Sequence, residues 1–182
     1  MCIRDSDNFE ATEFTTTFTD SINQKDKSLV RNIKEYLAIR CGMQEVYTYP
    51  WMNDVFVNAV LQSTDGVLKL STPPAPDMSC IRSSLLPNLC EAVAKNERYF
   101  NDFSIFEEAQ VFFDKNYTNA YDETESLPEQ RRHIGAAFAS SVKDIGMLFR
   151  EAKGVLEYMP RYTHMEAYEL KKEEKPVWAD NV

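Results

Sequence analysis

The sequence predicts a domain of mixed helices and strands. Three observations lead to that reading. Apolar side chains recur at helical spacing through residues 28–41 and stop at Gly42. A β-rich alternation follows through residues 44–49. Residues 72–113 then read as a proline-marked turn, a short strand, a helix, a break and a second strand. Helical and extended segments are thus interleaved, without internal repeats or heptads.

The chain of 182 residues suffices for one good-sized domain, or a domain with a tail. A hydrophobic content of 43% with eleven phenylalanines supplies enough apolar surface for a core.

Residues 1–6 (MCIRDS) join poorly to residues 7–10 and read as a cloning or assembly scar. Residues 11–25 are Thr-rich and polar without helical periodicity, as expected of a linker. In residues 28–41 the stripe is Leu29/Val30, Ile33, Tyr36/Leu37 and Cys41, with Ser28 as N-cap and Gly42 as the glycine that ends the helix. The strand through Gln44, Glu45, Val46, Tyr47, Thr48 and Tyr49 is stopped by Pro50.

Asn53 is placed to cap a short helix through residue 61. Val67, Leu68 and Leu70 mark a short strand at residues 66–71, and Pro73, Pro74 and Pro76 force an extended turn after it. Ser84 can cap the next helix, with Pro87 in a first turn where a missing N–H costs little. Its expected buried face is Leu85/Leu86, Leu89/Cys90, Val93 and, past Asn96, Phe100. Residues 103–113 form a strand around Glu107 and Glu108. Acidic residues 114–130 are expected as an exposed hairpin loop. A strand at 133–138, a helix at 142–158 and further strand material at 168–170 and 176–182 complete the chain.

The net charge is −9 and the pI about 4.8. A surface whose main task is gripping a phosphate backbone is usually basic, so this chain is not expected to be a principal RNA-binding module. No apolar run approaches the ~20 residues of a membrane span, and no secretory signal is recognised, which makes the cytoplasm the expected compartment. Cys2, Cys41, Cys80 and Cys90 are scattered and His133 and His164 isolated, a pattern of reduced thiols without a metal site.

Nucleotide loops, the nucleophile elbow and the paired-histidine zinc motif are all missing. Glu107 and Glu108 are adjacent on a strand, so their side chains point to opposite faces and cannot share a reaction centre. Arg82 stands at a strand–helix junction, where a planar guanidinium can tie carbonyls or a carboxylate through several donors. Alternatively it is a surface arginine with a snorkelling stem, or a direct contact to substrate or RNA. Asn96 reads as a local cap or turn group.

The run Arg82-Ser83-Ser84-Leu85-Leu86-Pro87-Asn88-Leu89, with Asn96 one helix further on and Ile105-Phe106-Glu107 opening the next strand, resembles the synthetase-like core of the phenylalanine–tRNA ligase β chain family. Asp7-Asn8-Phe9-Glu10 is similar to the segment that closes the domain before that core. Gln44-Glu45-Val46 with Tyr49 resembles the first class II motif, and Lys153-Gly154 with Glu157 resembles the family's Lys-Gly-x-x-Glu helix. The resemblance spans residues 7–182 and is strongest through 31–113.

That resemblance implies an α+β fold, an antiparallel sheet flanked by helices, as in class II aminoacyl-tRNA synthetases. It implies pairing with a catalytic α chain in an α2β2 assembly that charges tRNA(Phe) with phenylalanine, using ATP and magnesium. In the family the first motif forms the subunit interface. Leu29, Ile33, Tyr36, Leu37, Glu45 and Tyr47 are therefore expected to face a partner subunit, and Arg82, Asn96 and Glu107 to hold structural or interface roles. Catalytic class II chains place an arginine in their second motif to clamp the ATP α-phosphate. Here the strand reads Phe106-Glu107-Glu108-Ala109, so this segment is expected to be catalytically silent and to bind no cofactor itself.

Residues 1–6 are then a scar, 7–25 the end of a preceding domain and a linker, and 26–182 a core cut short within a strand. Such an ending would expose a sheet edge beside Val177 and Trp178. Two further readings stay open: a self-sufficient class II paralogue with its own adenylation site, and an interaction domain with no aminoacylation role.

Overall fold

The computed structural model describes residues 13, 15–17, 24–60, 66–118 and 126–166, the side chains of 115–118 and 126 excepted. The expectations for residues 1–6, for most of the linker, and for the strands and sheet edge at 168–182 lie outside the described residues.

Helix α1 (Lys25–Glu35) starts earlier than Ser28 suggested. The Ser28 amide donates to the Gln24 carbonyl at 3.1 Å, which puts Ser28 inside the first turn rather than at the cap. The helix widens into a π turn over Tyr36–Arg40. There the Cys41 amide reaches back to Tyr36 O at 3.1 Å and the Met43 amide to Leu37 O at 3.0 Å. Gly42, at φ +67°, makes the reversal that closes this end.

Strand β1 (Gln44–Glu45) is shorter than the alternation suggested. Val46 still donates to Phe106 O at 2.8 Å, but two residues on the Thr48 amide is taken by the Glu107 side chain, and the ladder ends. Strand β2 (Trp51–Met52) pairs antiparallel with β3 (Cys80–Ile81). Between them lies α2 (Asp54–Val60), where Asn53 Oδ1 accepts the Val55 amide at 2.9 Å as a cap should. The strand expected at 66–71 is reduced to a strap along β3, bonded from the Leu70 amide to Ser79 O and from the Ile81 amide to Leu68 O.

In α3 (Leu86–Asn96) the Leu86 amide donates to Ser84 Oγ at 3.2 Å, and Pro87 occupies the first turn. Strands β4 (Asp102–Thr118) and β5 (Ser126–Ser140) form a long antiparallel hairpin, irregular between Phe113 and Asn116. Much of the acidic stretch expected as a loop is therefore strand. Once the apolar part of the hairpin fixes the register, each further pair adds backbone hydrogen bonds at little extra closure entropy. Helix α4 (Ile145–Thr163) is capped by Asp144, whose Oδ1 accepts the Met147 amide at 2.8 Å. It runs past residue 158 and ends at His164, which adopts φ 57°.

The main sheet has the order β1-β4-β5; β4 and β5 are antiparallel, and β1 lies parallel to β4 with Gln44 opposite Ile105. Alternation along β4 loads both faces. Phe106 meets Ile33, Tyr36, Leu37 and Met43, backed by Val155 and Met159 of α4. On the other face Ile105 and Val111 meet Leu85 and Leu89 of α3. Met52, Val57 and Cys80 form a third cluster under β2 and β3.

The stripe of Leu29, Ile33, Tyr36 and Leu37, expected to face a partner, packs into the chain's own core. Ile33, Tyr36 and Leu37 are 6%, 5% and 1% exposed within this chain, and Leu29 packs beside them. A helical stripe shows that one face is buried, not against which molecule, and α4 supplies the cover here. On α3 the expected face divides: Leu85 and Leu89 are buried, whereas Leu86 and Phe100 are exposed.

Candidate functional site

Arg82 follows β3, Glu107 lies in the middle of β4, and Thr48 follows β1, so three segments distant in sequence meet at one interior point. Arg82 is 7% exposed and Glu107 1%. The guanidinium NH1 donates to Glu107 Oε1 at 3.0 Å, and Arg82 Nε donates to the Gln110 carbonyl at 2.7 Å. Thr48 completes the carboxylate's shell, its amide donating to Oε1 at 3.0 Å and its hydroxyl to Oε2 at 2.7 Å. Arg82 also ties the two sheets through its backbone: its amide donates to Pro50 O at 2.8 Å, and its carbonyl accepts the Phe112 amide at 2.9 Å. The burial of Arg82 does not fit a surface arginine with a solvated head.

Glu108 points the other way, as its place on the strand requires. It receives Lys34 Nζ at 3.2 Å and Arg132 Nε at 3.2 Å, and Lys34 also reaches Glu45 at 2.6 Å. Burial alone would lower the Lys34 pKa. Hydrogen bonds and charge from Glu45 and Glu108 outweigh it and leave the pKa raised. Tyr47 is exposed, with Lys34 Nζ 5.6 Å from its ring centre. Asn96 closes its own helix, its Nδ2 donating to Ala92 O at 2.8 Å while its carbonyl accepts the Tyr99 and Phe100 amides.

The structure thus joins Arg82 to Glu107 and Glu45 to the Glu108 cluster, and keeps Asn96 apart from both. Thr48, Gln110, Lys34 and Asn88 were missed. Asn88 is buried, and its Nδ2 donates to the carbonyls of Tyr49 and Trp51 at 3.1 Å each, holding the segment after β1 against α3. Its place beside Pro87 on the buried face of α3 was the available signal.

The fold is that of class II aminoacyl-tRNA synthetases. A pyrrolysyl tRNA synthetase from Desulfitobacterium hafniense superposes with a TM-score of 0.59 at 13% identity, covering 85% of this chain and 51% of its own. A Giardia lamblia prolyl-tRNA synthetase solved with prolyl-adenylate gives 0.52 at 10% identity, covering 74% and 28%.

Sequence narrows the class further. The profile of the phenylalanyl tRNA synthetase beta chain CLM domain matches residues 10–181, and the chain belongs to that family. A phenylalanine–tRNA ligase beta subunit from Brucella abortus is 32% identical over 114 residues, which is 62% of this chain and 13% of that subunit. One from Carboxydothermus hydrogenoformans is 33% identical over 126 residues, 66% and 14% respectively. The chain therefore spans about an eighth to a seventh of the length of these relatives.

Proposed function

We propose that this chain is a non-catalytic core of a phenylalanine–tRNA ligase β chain. In this reading it pairs in the cytoplasm with a catalytic α chain that charges tRNA(Phe) at the expense of ATP. The observation that carries the reading is the engagement of Glu107. An adenylation site needs an open cation aimed at the ATP α-phosphate. On the strand where catalytic class II chains carry that arginine, this chain presents an anion, already bonded to Arg82 and Thr48 and 1% exposed. Leu85 and Leu89 cover the same sheet face.

Magnesium, which the full ligase uses with ATP, prefers several oxygen ligands in open octahedral geometry. Donors already occupy both oxygens of Glu107, and Glu108 lies on the opposite face between Lys34 and Arg132. Among the described residues no three His, Cys, Asp or Glu side chains converge. They do not fit a magnesium site.

For the α chain, Tyr47 and Tyr49 offer a better docking face than the buried α1 stripe. They are 77% and 69% exposed, and Tyr49 stacks on Trp51 with ring centres 4.5 Å apart. Large rigid aromatics of this kind anchor protein interfaces. Two measurements test the reading. Phenylalanine-dependent pyrophosphate exchange by this chain alone should equal the buffer blank, and activity above it would refute catalytic silence. Co-expressed α chain should be retained by the native chain and lost with Tyr47→Asp plus Tyr49→Asp; unchanged retention would refute the docking face.

A further inference from the structure

The π turn at the end of α1 and the last turns of α4 border an open, shallow cleft of about 410 Å³, lined by Tyr36, Arg40, Cys41, Tyr158, Arg161 and Tyr162. Among the described residues its lining is unusual for a chain of net charge −9: two arginines, three tyrosines and no carboxylate. Neither arginine has an acidic partner among the described residues. Arg40 lies over the Tyr162 ring at 5.5 Å from its centre, and Tyr162 leans on Tyr36 at 5.3 Å. Tyr36 is locked in place by its hydroxyl, which donates to Val155 O at 2.8 Å. Tyr158 is 61% exposed and leaves its ring open. The π turn puts Tyr36 and Arg40 at this place in the fold, and such turns are frequent at functional sites.

We infer that this cleft binds a nucleoside phosphate, with Arg161 and Arg40 on the phosphate and Tyr158 stacked against the base. A guanidinium matches phosphate oxygens through a planar fork of donors, and aromatic side chains accept any base by stacking. The cleft shares no residue with the Arg82–Glu107 pair and stands whether or not an α chain is the partner. A chain this acidic repels a nucleic-acid strand in general, so a site of this kind must carry its own local positive charge.

The same chemistry is offered by a free nucleotide and by a residue of an RNA strand. Fluorescence titration of the native chain with AMP, inorganic phosphate, short oligoadenylate RNA and short polyglutamate separates the possibilities. AMP and oligoadenylate should bind and compete, with inorganic phosphate much weaker. Oligoadenylate far tighter than AMP marks a strand as the source, and equal affinity marks a free nucleotide. Arg161→Gln and Arg40→Gln should each weaken binding about tenfold. Together they should flatten the dependence of log K on log salt by about 1.4 for single-stranded RNA. Tyr158→Leu should weaken binding about fivefold and leave that slope unchanged. The exposed Arg161 side chain has no hydrogen-bond or ion-pair partner among the described residues, so its variant isolates the ligand contact from folding. The inference is overturned by absence of AMP and RNA binding, by unchanged affinity in Arg161→Gln, or by polyglutamate competing as well as RNA. That last outcome would assign the cleft to an acidic protein partner.

Discussion

Arg82 NH1 and Glu107 Oε1 lie 3.0 Å apart in the interior, joining the end of β3 to the middle of β4. Both charges are removed from water, and their attraction must offset that desolvation. Thr48 and the Gln110 carbonyl supply the remaining hydrogen bonds. The pair ties the end of β3 to β4 with both carboxylate oxygens and the guanidinium Nε and NH1 hydrogen-bonded, so its loss from one side would leave a buried charge unpaired.

Breaking the pair from one side should be costly and removing both sides mild. Arg82→Met should lower stability by about 3–5 kcal/mol, because Glu107 is left charged and buried. The double variant Arg82→Met, Glu107→Leu should recover most of that loss in urea unfolding. Equal losses in the single and double variants would show that the guanidinium's bonds to Gln110 and Thr48, not the ion pair, set the cost.

Ile33→Asp distinguishes a core position from an interface position. Ile33 is 6% exposed beneath α4, so an aspartate there should cost several kcal/mol and abolish the cooperative transition seen by circular dichroism. Ile39→Asp, at a position 74% exposed, should change stability by no more than about 0.5 kcal/mol. A folded Ile33→Asp chain would favour the interface reading of the stripe.

Gly135 lies close against the start of α3. A methyl group there would meet Leu89 Cδ1 at 2.8 Å and Leu85 Cβ at 3.2 Å. Gly135→Ala should destabilise by about 1–3 kcal/mol through overpacking. Combined with Leu89→Ala it should cost less than the two losses added, since the new methyl group enters the space the leucine vacates. Additive losses would place the strain elsewhere.

The Lys34 cluster predicts an alkaline effect. The Lys34 pKa is raised in the folded chain, so its pairing with Glu45 and Glu108 contributes fully below the ordinary lysine value of about 10.4. That contribution is lost as pH rises through the raised folded value. The stability difference between the native chain and Lys34→Met should stay level from neutral pH to about 10 and shrink above it. A difference that shrinks between pH 7 and 9 would contradict the sign.

Local chemistry was legible wherever a residue acts on its immediate neighbours. Gly42 ends α1, Asn53 caps α2, Pro87 opens α3, and Glu107 and Glu108 diverge across β4. The Arg82-to-Glu107 segment also carried the family resemblance, with its residue types and spacing intact. Arg82 could be read as a multi-donor group from its junction position. Its acceptors could not, because Glu107 lies 25 residues away and Thr48 34 residues away, and a strand or helix period says nothing about pairing over such distances. The cover of the α1 stripe was hidden for the same reason: periodicity marks a face as buried, and packing against α4 supplies cover from the same chain. The length of the β4–β5 hairpin was hidden as well, since backbone ladders extend past the side chains that announce them. Propensity, capping and alternation act over a few residues and are written locally. Charge partners, π-turn geometry and the identity of a buried face depend on which distant segments are brought together, and that is settled when the chain packs.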